Sequence, residues 1–247
     1  MENTPEERSS ARDNLPFLHL LPNMVTILGL CAGLTAIRFA IDGRIALAAG
    51  LIVFAALIDG LDGLLARRLR ATSMLGAELD SLSDFVCFGV APAILVFRFA
   101  LSPDIGLGIG WIFALLFAIC CCLRLARFNV MRDLPDAPRH FVGVPAPAGA
   151  LLGLMPIFAT FSGLIDMRHW PVFTALWLGL IGFLMVSRVP TPSLKGMKIR
   201  RDKALFVLLG VVLIVGMMVS RFWLALCLLG LVYLGVVVFS ALRRRRS

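Results

Sequence analysis

The chain reads as an all-α, polytopic membrane helix bundle with about eight transmembrane helices: a six-helix core and two more at the C-terminus. Three observations lead there. The 247 residues are 60% hydrophobic and 16% charged, with a mean hydropathy of +0.93, whereas a soluble domain is about half apolar and a quarter charged. The apolar residues fall in tracts near the ~20 residues that cross ~30 Å of hydrocarbon. The cations collect at the ends of those tracts, as membrane topology requires.

The elements follow in order. Residues 1–14 are polar and mixed in charge, with no apolar leader-like stretch. Residues 15–22 (LPFLHLLP) are bracketed by Pro16 and Pro22 and are expected to form a short interfacial segment entering the membrane at Pro22. The rival is an early start to the first span. Spans are expected at 23–41, 45–67, 76–98, 106–128, 147–165, 170–187, 204–220 and 222–242, joined by short connections. The chain then divides into an N-terminal segment (1–21), a membrane core (22–203) and a C-terminal pair of spans with a basic tail (204–247). The loop 188–203 is basic and opens RVPTPS; it can attract anionic headgroups, although topological charge explains most of it.

With the N-terminus in the cytoplasm, 19 Lys and Arg fall on the cytoplasmic side. Five (Arg38, Arg44, Arg98, Arg168 and Arg221) fall on the other. Both termini are therefore expected in the cytoplasm, in a cell (inner) membrane. The net charge of +9 and pI of about 10.1 would suggest nucleic acid in a soluble protein; here they have a topological origin, and no nucleic-acid partner is expected. The six cysteines lie in apolar stretches without metal-ligand spacing and read as small buried hydrophobes. The three histidines are scattered, which argues against a histidine-rich metal site.

Against this background four acids stand out. Asp59, Asp62, Asp80 and Asp84 lie in DGLDGLLARRLRATSMLGAELDSLSD, residues 59–84, at the ends of two apolar spans. Acids near membrane depth are costly and mark function by default. Asp59 and Asp62 are three apart, and Asp80 and Asp84 four apart, so each pair shares a helix face. The two helices are antiparallel neighbours, so the pairs can converge at one depth. Four gathered carboxylates repel unless hard cations neutralise them, and four suffice for two bridged divalent ions, the geometry of in-line phosphoryl displacement. Gly63 and Gly76 leave room for a bulky ligand at the helix backbones, and Arg67 can offer a phosphate a two-pronged guanidinium. Capping, pairing with arginines or a proton relay would suit isolated acids, but not four on matched faces with glycines and an arginine between them.

The pattern D-x2-D-G-x2-A-R-x8-G-x3-D-x3-D resembles the signature of the CDP-alcohol phosphotransferases and matches at Asp59, Asp62, Gly63, Ala66, Arg67, Gly76, Asp80 and Asp84. The resemblance implies a six-helix catalytic core that moves a phosphatidyl group from a CDP-linked lipid to an alcohol and releases CMP. It implies two divalent cations, Mg or Mn, one held by Asp59, Asp62 and Asp80 and the other by Asp59, Asp80 and Asp84. It also implies that Asp84 accepts the acceptor's proton, that Gly63, Arg67 and Ser73 contact the CDP moiety, and that the protein is a homodimer. PNMVTILGLCAG (22–33), DSLSDFVCFGVAPA (80–93), RLARFNV (124–130), FVGVPAPAGA (141–150) and MVSRVPTPSLK (185–195) look like the branch whose acceptor is L-serine, with CDP-diacylglycerol as donor. The last two spans carry no recognised motif.

Other candidates have two readings. Arg124, Arg127, Arg188 and Lys195 can bind a serine carboxylate or anchor span ends. Asn23 and Thr26 can contact the nucleotide or cap the first span. A cation or proton transporter would need polar residues continuing to the far leaflet, but LAAGLIVFAAL and FGVAPAILVF are apolar there.

Overall fold

The computed structural model describes residues 17–69, 74–101, 108–132, 143–187 and 204–244. The described residues are helical, with no strand among them. Helix α1 spans Phe17–Ile41 and α2 Ile45–Leu69. Helix α3 runs Met74–Leu101 and α4 Ile109–Arg132. Two short helices follow, α5 (Ala146–Gly153) and α6 (Met155–Phe161), and then α7 (Pro171–Val186), α8 (Ala204–Ser220) and α9 (Phe222–Arg244). Five helices (α1, α2, α3, α4 and α9) are long and apolar enough to cross a membrane. Helices α7 and α8 are shorter apolar helices. The protein is a polytopic helical membrane protein.

Three expectations change. The expected break at Pro22 is absent, because α1 starts at Phe17 and continues through Pro22. A proline this near a helix start removes one backbone bond at the frayed end, a small loss beside the continuous apolar helix it permits. The expected fifth span, 147–165, is instead the pair α5 and α6, broken at Leu154. Pro156 cannot donate to the Leu152 carbonyl four residues back; that carbonyl accepts the Trp177 indole N–H from α7 at 2.8 Å. Third, α3 is not uniformly α-helical: π-helical segments occupy Phe85–Val90 and Phe97–Leu101. The Ala91 N–H reaches back five residues to Val86.

Helices α1 and α2 pack as an antiparallel hairpin around a tight turn at Gly43, whose φ of +76° suits a residue without a side chain. Helix α3 lies against α1, and α4 against α7. At the α1–α3 seam, an added Cβ on Gly33 would stand 2.5 Å from the Cys87 sulfur. The Cys87 thiol in turn donates to the Gly29 carbonyl at 3.3 Å. At the α4–α7 seam, an added Cβ on Gly182 would lie 3.3 Å from the Phe117 backbone. At the start of α4, an added Cβ on Gly110 would stand 2.8 Å from Leu101. Helix α9 packs on α6 through Trp223, which stacks on Phe158 with ring centroids 5.8 Å apart. Helix α8 packs chiefly on α9 and leaves most of its described side chains exposed.

Candidate metal centre

The helix order places both acid pairs together. Asp59 and Asp62 lie on the last turns of α2, and Asp80 and Asp84 on the first turns of α3. Carboxylate oxygens of Asp59, Asp62 and Asp80 all lie within 4.8 Å of one another. Asp84 is hydrogen-bonded to Asp59 and lies within electrostatic range of Asp80. Carboxylates this close need a proton or a cation between them. Clustered carboxylate oxygens with no sulfur or imidazole among them suit hard divalent ions.

Asp62 is the most enclosed of the four, at 6% exposure. The Thr26 hydroxyl of α1 donates to its Oδ2 at 3.0 Å, with the Pro22 carbonyl also in reach at 3.1 Å, and the Gly63 backbone N–H is a second donor to Asp62. This removes the capping reading of Thr26 and Asn23: with α1 starting at Phe17, both sit inside the helix. Thr26 instead orients a candidate metal ligand from a neighbouring helix. Its backbone carbonyl also accepts the Ser83 hydroxyl of α3 at 3.4 Å, so one residue of α1 touches both acid-bearing helices. Asn23 is half-buried one turn earlier.

The π segment begins at Phe85, immediately after Asp84. Asp80 and Asp84 therefore keep α spacing on one face, while the chain beyond them is re-registered to bury Cys87, Phe88 and Gly89. Helix α4 closes another side of the site. Its Asn129 amide donates to the Ser81 hydroxyl at 2.9 Å, tying α4 to α3 beside Asp80.

The cationic candidates separate. Arg124 is half-buried, within electrostatic range of Asp84 and Asp59, with its guanidinium 6.0 Å from the Phe128 ring centre. Arg127 donates to the Val186 carbonyl at 2.8 Å, at the C-terminal end of α7, a helix-end contact that favours its anchoring reading. Gly63 and Gly76 are half-buried beside Asp62 and one turn before Asp80. The Arg67 side chain, Ser73, Arg188 and Lys195 lie outside the described residues.

Sequence reasoning missed two residues, Asn129 beside the site and Tyr233 on α9. Asn129 was legible as the one amide in an otherwise apolar and basic stretch, RLARFNV. Tyr233, the only tyrosine in the chain, comes from α9, which carried no recognised motif. Its hydroxyl is buried with no hydrogen-bond partner among the described residues and lies within electrostatic range of Arg124.

Comparison with known proteins agrees with this geometry. The family described as CDP-alcohol phosphatidyltransferase matches residues 19–189. A CDP-diacylglycerol–serine O-phosphatidyltransferase of Mycobacterium leprae is 43% identical over 179 residues, covering 70% of this chain and 58% of the relative. The chain thus matches less than two thirds of that relative's length. Proteins of the same name from Helicobacter pylori strain J99 and Bacillus subtilis strain 168 are 36% and 34% identical, covering 77% and 72% of this chain and 78% and 93% of theirs. The extent of the family match, together with the convergent aspartates, makes this chain a member of the CDP-alcohol phosphatidyltransferase family.

Proposed function

We propose that the protein transfers the phosphatidyl group of CDP-diacylglycerol to the hydroxyl of L-serine, giving phosphatidylserine and CMP. The observation that carries this is the convergence of four carboxylates from α2 and α3, taken with relatives that carry the serine transferase name. Asp59, Asp62 and Asp80 would hold one divalent cation, and Asp59, Asp80 and Asp84 a second, Mg or Mn. Bound there, the pair would neutralise the donor's pyrophosphate and the charge developing on CMP.

The chain's own residues supply the rest. Thr26 fixes the Asp62 carboxylate, and Asn129 fixes the α3 turn that bears Asp80. Asp84 accepts the proton of the serine hydroxyl as its oxygen bonds to the lipid-side phosphorus and the bond to CMP breaks. Beside bound cations a carboxylate would be a weak base, so Asp84 would contribute largely by positioning that hydroxyl. Arg124 offers its guanidinium to the serine carboxylate. Gly63, Gly76, Arg67 and Ser73, with Asn23 nearby, form the surroundings of the CDP group. The tails of the donor remain in lipid, both termini face the cytoplasm, and the protein acts as a homodimer in the cell membrane.

The test supplies CDP-diacylglycerol with labelled serine, glycerol 3-phosphate, inositol or choline to the purified protein with Mg or Mn. Serine is expected to be the acceptor incorporated into lipid. Preferential incorporation of another alcohol would keep the family chemistry and overturn the serine assignment.

A further inference from the structure

The opposite end of the bundle holds a second polar site. A cavity of about 670 Å³ lies among the α1–α2 turn, the end of α3 and the segments flanking α6, lined by Arg44, Arg98 and Arg168 over Phe99, Thr160 and Phe161. It is separate from the aspartates, since Asp59 lies about 20 Å along α2 from Ile45, at 1.5 Å per residue.

Three of the five cations on this side converge there, from the α1–α2 turn, the end of α3 and the segment between α6 and α7. Arginines acting only as interfacial anchors have no reason to share a cavity. Each is held by a different contact. The Arg44 guanidinium lies 4.8 Å from the Phe39 ring centre, and Arg98 donates to the Ile41 carbonyl at 3.3 Å. Arg168 pairs through two nitrogens with Asp166, at 2.9 and 2.8 Å, and His169 stands 3.6 Å from the same carboxylate. The other nearby acid, Asp42, faces Arg38 at 3.9 Å. Among the described residues, then, Asp166 pairs with Arg168, and Arg44 and Arg98 make no carboxylate contact. The floor is aromatic: Phe99 and Phe161 lie with ring centroids 6.4 Å apart. Converging guanidiniums above an apolar floor suit a phosphate whose carrier also has an apolar part.

We propose that this cavity binds the phosphate group of a ligand with net negative charge, with Arg44 and Arg98 as the principal donors. An anionic phospholipid of that leaflet is one source and soluble phosphate another. The proposal is independent of the transferase reading.

The test titrates the full-length protein, purified in a neutral detergent, with short-chain phosphatidylglycerol, phosphatidylcholine or inorganic phosphate. Bound equivalents are read by native mass spectrometry, and melting temperature is followed in parallel. Wild type is expected to take up phosphatidylglycerol in preference to phosphatidylcholine. The Arg44→Gln/Arg98→Gln double variant is expected to bind one equivalent about tenfold more weakly, and Arg38→Gln to bind normally. Competition by inorganic phosphate would identify a soluble ligand, and its absence a lipid; both support the site. Equal binding of phosphatidylcholine, or a double variant that binds like wild type, overturns it. If the double variant fails to purify, Arg98→Lys, which keeps charge and loses the fork, decides: severalfold weaker binding supports the proposal and unchanged binding overturns it.

Discussion

The two ends of this bundle gather opposite charges by opposite means. At one end, carboxylates from α2 and α3 meet under cover of neighbouring helices, held by side chains distant in sequence: Thr26 reaches Asp62 and Asn129 reaches Ser81. At the other, exposed arginines sit at helix ends and connections, and Arg44 and Arg168 are steadied by residues within a few positions. The first arrangement is fixed before a ligand arrives and suits chemistry that tolerates little misplacement. The second, made of exposed side chains on mostly local contacts, suits binding. The same fold thus separates a rigid polar site from an adaptable one by where its packing is dense.

Variants at the aspartate end probe the rigid half, with the largest effect first. Asp84→Asn is expected to lower transfer by ~10²–10⁴-fold while CDP-diacylglycerol binding, measured separately, is retained. A rate like wild type would remove Asp84 from the reaction. Thr26→Val leaves all four acids in place but takes a donor from Asp62. It is expected to raise the divalent-ion concentration needed for half-maximal activity by ~10–100-fold. An unchanged requirement would mean that Asp62 needs no help from α1. Arg124→Ala is expected to raise the serine KM about tenfold, and the donor's KM far less, whereas Arg127→Ala should lower the melting temperature and leave the serine KM alone. The reverse pattern would exchange their roles.

The smallest effect lies at the adaptable end. Arg168 beside Asp166 holds that carboxyl below its ordinary range. A depressed folded-state pKa means that the pair's stabilisation is present above the ordinary carboxylate value and is lost as pH falls through the lowered one. Asp166→Asn should therefore lower the melting temperature slightly at neutral pH, with the difference closing in acid. A gap that widens on acidification would contradict the pairing.

Much of this was legible in the sequence because a membrane imposes simple rules. Apolar length located α2, α4, α7, α8 and α9 to within a few residues of their observed ends, and the three- and four-residue spacings brought the acids to one place. What escaped depends on single backbone bonds. Pro22 looked like an entry point, yet the helix absorbs it. Pro156 sat unmarked within an apolar run, yet it splits the expected fifth span and frees the carbonyl that Trp177 occupies. The π segment after Asp84 has no residue signature. Among the arginines, composition could not distinguish Arg124 from Arg127, because three residues on one helix decide whether a guanidinium meets an aspartate or a helix end.

The Thr26–Asp62 contact bears on how the protein is made. Synthesis proceeds from the N-terminus, so α1 and α2 emerge before the helix carrying Asp80 and Asp84. The most enclosed of the four acids, which would otherwise enter the bilayer bare, meets a donor already present in the preceding helix. Half of the site is thus chaperoned by its own neighbour, and the nascent hairpin can wait in the membrane for the rest of the chain.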